Sequence, residues 1–210
     1  MVKQERAART RETLIRSAAE VFDRDGFSTA SLTAISSQAG VSNGALHFHF
    51  ASKAVLVDVV EEAALTRLLA VTNGELPLGV SRVQLLVDVT HALADALRGD
   101  VVLRVGFALS GETSRPPRMD LRQSWRCWVE ETLKQAEAEG ELRRGTEVQD
   151  AVTAVVAATV GFEVLGVRDS PWLSVSTVMR FWRLLLPTLV PATRLAVIEA
   201  RGTRRPQEAV

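Results

Sequence analysis

Apolar residues recur along most of the chain at intervals of three and four, which is the spacing of one face of an α-helix. Near the start, Leu14, Ala18 and Phe22 predict a helix over residues 6–24 that ends before Gly26. The same spacing predicts longer helices over residues 53–71, 83–97, 101–109, 121–138, 148–167, 172–189 and 192–200. No segment shows the sustained alternation typical of a strand. The pattern therefore predicts an all-α fold.

Two short helices are predicted between the first long helix and the next. Ser31 is placed as the N-cap of one and Ser42 as the N-cap of the other, which reaches Phe48 or beyond. Gly40 between them suits a left-handed turn, and Val41 is expected to be buried there. Two short helices joined by such a turn are typical of a DNA-binding helix-turn-helix. An ordinary helical hairpin is the alternative.

Small residues on the second short helix favour the DNA-binding interpretation. Ser42, Asn43, Gly44 and Ala45 leave room for a close approach to base edges, and the amide of Asn43 matches an adenine edge. The free N–H groups at a helix N-terminus also attract phosphate.

The first sixteen residues carry five basic side chains against two acidic ones, although the whole chain has a formal net charge of +0. Arg6 and Arg9 belong to this basic arm, which is suited to phosphate contacts or to a minor groove. A merely solubilising first turn is the alternative. Lys53, at the start of the next helix, strengthens the electrostatic interpretation.

Composition places the chain among soluble intracellular proteins. Hydrophobic residues make up 47% of the chain, enough for a substantial core, and the single cysteine, Cys127, excludes an internal disulfide framework. The N-terminus lacks the apolar segment of a signal peptide. The longest apolar stretch, residues 151–162, is shorter than the roughly 20 residues that span a bilayer. We therefore expect a cytoplasmic protein without a membrane partner.

The chain offers no pattern that indicates a metal site, a cofactor or catalysis. His47 and His49 are two residues apart, so on a helix they point roughly 200° away from each other and cannot share one ion. His47 is expected to face phosphates, while Phe48 and Phe50 are expected to pack into the core of the small domain. No nucleophile–base pair, phosphate loop or paired carboxylates are recognisable, so an enzyme is not predicted.

The chain resembles the TetR family of transcriptional repressors over residues 10–60. The resemblance lies in a short capped helix that is followed by AGVSNGALHFHF and then by ASK. Within that family the chain is more similar to the actinomycete γ-butyrolactone receptors and pseudo-receptors. This similarity rests on GALHFHFASK, on VLRVGFALS followed by RPP, and on Trp125. Two positions depart from the pattern: His47 replaces the usual tyrosine, and Asn43 stands where lysine is frequent.

The resemblance implies a set of DNA-facing positions. These are Ser42, Asn43, Gly44, Ala45, His47, His49 and Lys53, to which we add Ser31 and Thr33 of the first short helix and Arg6 and Arg9 of the arm. The partner is then a pseudo-palindromic double-stranded DNA operator.

Aromatic residues in the larger domain are candidates for an effector pocket, although core packing is the default role of such residues. Trp125 and Trp128, three residues apart, are predicted to line one side of a cavity, with Phe107 opposite and Phe162 among the lining residues. An apolar pocket suits a small lipophilic effector. The resemblance, not the spacing, places Trp125 at the ligand.

Two apolar helices near the C-terminus predict a homodimer. The helix over residues 148–167 is apolar nearly all round, so it is either central to the core or packed against a second copy. The resemblance implies a four-helix dimer bundle, to which we assign Val156, Val160, Val178, Phe181, Leu184 and Leu185.

The predicted organisation is a DNA-binding domain over residues 1–52, an effector-binding and dimerisation domain over residues 53–202, and a flexible tail over residues 203–210. Residues 72–80 carry Gly, Pro and Asn and mark a hinge or loop. The predicted function is an effector-released repressor that controls secondary metabolism. It answers to a γ-butyrolactone-type signal or, alternatively, to an antibiotic or other metabolite. The rival is a helical small-molecule-binding protein or enzyme whose N-terminal hairpin is only structural.

Overall fold

The computed structural model describes residues 2–74, 79, 81–112, 115–167 and 169–203. These residues form helices, turns and loops, and none of them forms a strand. The all-α prediction is therefore confirmed. In chain order the helices are α1 Val2–Asp25, α2 Leu32–Gln38, α3 Asn43–His49, α4 Lys53–Thr72, α5 Arg82–Gly99, α6 Val101–Ser110, α7 Leu121–Ala138, α8 Val148–Gly166, α9 Val175–Leu189 and α10 Ala192–Leu195.

One predicted helix is divided in the structure. The pattern predicted a continuous helix over residues 172–189, but Ser170–Leu173 forms a 3₁₀ turn and α9 begins only at Val175. Ser174 causes the break, because its backbone is extended and its hydroxyl accepts the N–H of Thr177 as an N-cap.

The predicted last helix is also shorter than expected, because α10 has a single turn. Beyond it the chain is bound to α5 through side chains. The N–H of Glu199 donates to Gln84 Oε1 at 2.7 Å, and the N–H of Thr203 donates to Asp88 Oδ1 at 2.8 Å. Since these N–H groups bond to side chains, they are not used for a helical ladder. The rest of the predicted tail, residues 204–210, lies outside the described residues, as do residues 75–78 and 80 of the predicted loop.

Packing divides the chain into two compact units, and each contains segments distant in sequence. Unit 1 comprises Met1–Leu68 and Asp100–Leu121, and unit 2 comprises Leu69–Gly99 and Arg122–Val210. Unit 1 therefore adds most of α4 and all of α6 to the N-terminal helices. The functional boundary between residues 52 and 53 is a different division and stays a prediction.

Helices α4 and α6 cross closely within unit 1. A Cβ atom built on Gly106 of α6 would overlap the side chain of Ala64 on α4 and lie 2.9 Å from Leu121 Cδ2. Only glycine at position 106 allows this approach.

A buried carboxylate attaches the segment before α7 to α4. Glu61 is fully buried, and its Oε2 accepts the backbone N–H groups of Arg118 and Met119 at 2.8 and 3.2 Å. Its Oε1 accepts Arg115 Nη1 at 2.5 Å, while Nη2 of the same guanidinium donates to Asp58 at 2.8 Å. The Arg-Pro-Pro-Arg segment is thus held by paired charges, as buried carboxylates require.

Helix α8 is the most apolar long helix among the residues that the structure describes. Its length and mean hydropathy of 1.5 would suffice to cross a membrane, and 33% of that stretch is buried inside the chain. Apolar core helices of globular proteins can have the same length and the same mean hydropathy.

Candidate nucleic-acid interface and effector site

The two short helices are capped as the sequence predicted. Ser31 Oγ accepts the N–H of Ala34 at 3.1 Å, and Ser42 Oγ accepts the N–H of Ala45 at 3.1 Å. Gly40 has φ +66°, the left-handed conformation that the turn between the helices requires. These contacts fix the start of each helix and the turn between them, as in a helix-turn-helix.

Helix α3 is anchored on one side only. Leu46 and Phe50 are buried, and with Ile35 of α2 they bind the hairpin to the core of unit 1. The prediction that Phe48 packs into this core was wrong, because the ring is 83% exposed. Phe48 lies two residues from Leu46 and therefore points to the opposite side of the helix. Val41 is half-buried rather than buried.

The side-chain amide of Asn43 is hydrogen-bonded to α2. Its Oδ1 accepts Ser36 Oγ at 3.0 Å, and its Nδ2 lies 3.4 Å from Thr33 Oγ1, which accepts from it. A bidentate contact with adenine uses this same edge of an asparagine amide. In this conformation both ends of the amide are hydrogen-bonded to the neighbouring helix, although Asn43 as a whole is exposed.

The predicted cations fall into two groups. Arg6 and Arg9 are exposed on α1. The ammonium of Lys53, in contrast, donates to the carbonyl of Ser28 at 3.2 Å and lies 4.5 Å from the ring centroid of Phe27. Partial burial there lowers the pKa of Lys53 below its usual value. Arg6 and Arg9 are therefore the more accessible of the predicted phosphate ligands.

The two histidines of α3 lie in different surroundings. His47 is exposed, whereas His49 is half-buried and meets the ring of Phe48 edge-on at 5.3 Å. No group of three metal-binding side chains occurs within the described ranges.

The effector candidates of unit 2 include a hydrogen-bonded pair. Trp125 is fully buried, and its Nε1 donates to Thr159 Oγ1 of α8 at 2.8 Å. Trp128 is half-buried and stacks on Trp125 with ring centroids 5.2 Å apart. Phe107, predicted to stand opposite, belongs to unit 1, where it is buried.

A second buried tryptophan was not assigned to the effector pocket from the sequence. Trp182 of α9 is fully buried, and its Nε1 finds no hydrogen-bond partner in the part of the chain that the structure describes. Phe181 connects Trp182 to Phe162, with ring centroids 5.1 and 5.8 Å apart. A buried donor without a partner costs free energy, which a hydrogen-bond acceptor brought to it would recover. Periodicity cannot reveal this, because it predicts burial and not hydrogen bonding.

The predicted dimer residues differ in accessibility. Leu184 is 80% exposed, and Val156, Val160, Phe181 and Leu185 are half-buried. Val178 was assigned wrongly, because it is fully buried within its own chain and has no surface to offer a second copy.

Comparison with known proteins gives consistent matches. The family model described as bacterial regulatory proteins, tetR family, matches residues 14–60. The A-factor receptor protein of Streptomyces griseus is 29% identical in an alignment of 206 residues that covers 96% of this chain and 71% of that protein.

Solved structures match over nearly the whole chain. The TetR family protein CprB from Streptomyces coelicolor, in complex with its biological operator sequence, is 30% identical with a TM-score of 0.81, covering 97% of this chain and 100% of CprB. A γ-butyrolactone receptor described as an ArpA-like protein is 29% identical with a TM-score of 0.80, covering 93% and 96% of the two chains.

Proposed function

The chain belongs to the TetR family of bacterial regulatory proteins, and from this premise we propose that it is a transcriptional repressor that a small effector releases from operator DNA. The helix-turn-helix carries the proposal. Its caps at Ser31 and Ser42 fix α2 and α3, and α3 is buried on one side and exposed on the other. Such a helix can enter a major groove while remaining attached to its domain.

The DNA-binding domain is residues 1–52, with Arg6 and Arg9 neutralising phosphates beside α3. Its partner is a pseudo-palindromic operator, because two copies related by a twofold axis contact two half-sites about 34 Å apart. One seven-residue helix alone specifies too little sequence.

A homodimer forms through α8 and α9 of residues 53–202. Exposed apolar side chains support this face: Val164 and Leu165 on α8 and Leu184 on α9. Large apolar residues exposed together are typical of an interaction surface. We therefore assign the apolar surface of α8 to the second copy and not to a membrane, and we place the protein in the cytoplasm.

The effector is a small lipophilic molecule with at least one hydrogen-bond acceptor. The aromatic group of Phe162, Phe181 and Trp182 provides apolar surface, and the unpartnered Nε1 of Trp182 provides a donor. A γ-butyrolactone meets this description and is the ligand class of a similar receptor. An antibiotic or related metabolite is the alternative, and in either case the regulated process is secondary metabolism. We assign no catalytic role to the chain.

Gel retardation tests the proposal. A labelled fragment from upstream of the protein's own coding sequence should be retarded, whereas an equally long fragment from inside that coding sequence should not. An organic extract of the producing culture should release the retarded fragment. The opposite result, equal binding of both fragments, would favour the rival protein with a merely structural hairpin.

A paired variant tests the basic arm. Replacing Arg6 and Arg9 with Ala should weaken operator binding and reduce the slope of log affinity against log salt by roughly 0.9 for each lost phosphate contact. Replacing Arg143 and Arg144, both exposed in unit 2, is the matched control and should leave the slope unchanged.

A further inference from the structure

Helix α3 exposes few groups that can hydrogen-bond to bases. Ser42 Oγ is used by the N-terminal cap, and the bidentate edge of Asn43 is used by Ser36 and Thr33 of α2. Base recognition by paired hydrogen bonds, the usual role of an asparagine on a recognition helix, is therefore not available in this conformation.

The same helix carries an apolar strip, which we define as Gly44, Ala45 and Phe48; Gly44 and Phe48 are exposed and Ala45 is half-buried. Residues three and four apart lie side by side on a helix, so Gly44 and Ala45 are next to Phe48 on the surface. The ring of Phe48 is 83% exposed and contacts His49 edge-on, and a Cβ built on Gly44 would meet Ser42 Oγ only at 3.9 Å, an ordinary van der Waals distance. An aromatic ring exposed to this degree gains free energy when apolar groups cover it.

Thymine is the base that suits this strip. In the major groove its C5-methyl group is the apolar feature that distinguishes one base edge from the others. We propose that α3 recognises its operator through thymine methyl groups contacted by Phe48 and Ala45, while Asn43 is a positioning residue that fixes α3 against α2. This inference rests on the proposed function as an operator-binding repressor.

Uracil substitution in the operator tests the methyl contacts. Deoxyuridine keeps the hydrogen-bonding groups of thymidine and lacks only the methyl, so each half-site is scanned by replacing one thymine at a time. At one or two positions per half-site, the full-length protein should lose about fourfold in affinity, because burying one methyl contributes roughly 0.8 kcal/mol.

The variant Phe48→Ala connects that loss to the strip. The variant should have the same affinity for the thymine operator and for the operator with uracil at the position that Phe48 contacts. Its melting temperature should be unchanged, because the ring is exposed. Val197→Ala, at another exposed apolar position, is the matched control and should remain sensitive to uracil. Equal binding of thymine and uracil operators by the wild type would overturn the inference and leave the proposed function intact. A wild type that binds no DNA would overturn both.

Operator panels mutated at each base pair test the positioning role. Asn43→Ala and Ser36→Ala should each lower affinity by a similar factor for every operator, and the double variant should lose little more than either one. The preferences for individual base pairs should stay as in the wild type. A loss of folding stability alone would also leave these preferences unchanged, so the melting temperature of each variant is measured as well. The melting temperature should change far less than the operator affinity. If Asn43→Ala relaxes the preference at a single base pair and Ser36→Ala does not, Asn43 is a base-contacting residue and the positioning role is refuted.

Discussion

Two fully buried tryptophans allow one hydrogen bond to be isolated. Trp125 Nε1 donates to Thr159, whereas Trp182 Nε1 has no partner among the described residues. Replacing either by Phe removes the same atoms from a buried site, so the loss of ring volume largely cancels between the two variants. Trp125→Phe also loses a hydrogen bond worth about 0.5–1.5 kcal/mol, while Trp182→Phe relieves an unsatisfied donor that costs about 1–3 kcal/mol. We expect Trp125→Phe to be less stable than Trp182→Phe by about 1.5–4.5 kcal/mol.

Urea unfolding of the two variants measures this difference, provided that the m-values match, so that midpoints report stability alone. Because Trp182 Nε1 is assigned to the effector, Trp182→Phe should also need more culture extract than the wild type for release from the operator. Equal stability of the two variants would refute the argument, since it would mean that neither the Thr159 contact nor the unpartnered donor of Trp182 changes the free energy of unfolding.

Three further predictions concern other sites. Glu61→Ala should lower stability by about 3–5 kcal/mol in thermal unfolding, because it removes the buried acceptor of the Arg118 and Met119 N–H groups and leaves the half-buried Arg115 with Asp58 alone. Glu62→Ala, which removes a more exposed ion pair, should cost about 1 kcal/mol or less, and equal losses would argue against burial as the cause. Burial lowers the pKa of His91 in spite of its bond to the carbonyl of Ala200 and the charge of Asp88. Neutral His91 therefore stabilises the fold above its unfolded pKa of about 6.5, and this stability is lost as pH falls through the lower folded pKa. Melting scans should show the wild type losing more stability than His91→Gln on acidification, and parallel curves would contradict this. Leu184→Asp should convert the dimer to monomer in sedimentation and weaken operator binding, and a variant that stays dimeric would place the interface elsewhere.

Much of the fold was predictable because helix formation is local. The spacing of Leu14, Ala18 and Phe22, and the caps at Ser31 and Ser42, depend on neighbours within a few residues. The predictions failed where distant residues compete for backbone groups. The chain after α10 leaves the helix because Gln84 and Asp88, more than a hundred residues earlier, accept its N–H groups.

The candidate site was less predictable for the same reason. The residue types alone were enough to predict the turn between the two short helices. The orientation of Asn43, however, depends on its hydrogen bonds with Ser36 and Thr33, and hydrophobic periodicity does not specify side-chain hydrogen bonds. Phe48 was expected in the core because it is apolar. A helix of seven residues that is buried on one side has to expose what lies opposite, whatever its hydrophobicity.

The close crossing of α4 and α6 restricts how the two helices can change over evolutionary time. Since a Cβ at position 106 would occupy the space of the Ala64 methyl group, the two positions share room for one methyl between them. Alanine at position 106 is then tolerable only in a lineage that has already reduced position 64 to glycine, and the side chain of Leu121 must shift as well. Substitutions at these two positions, forty-two residues apart in the chain, should therefore occur as a correlated pair among descendants of a common ancestor.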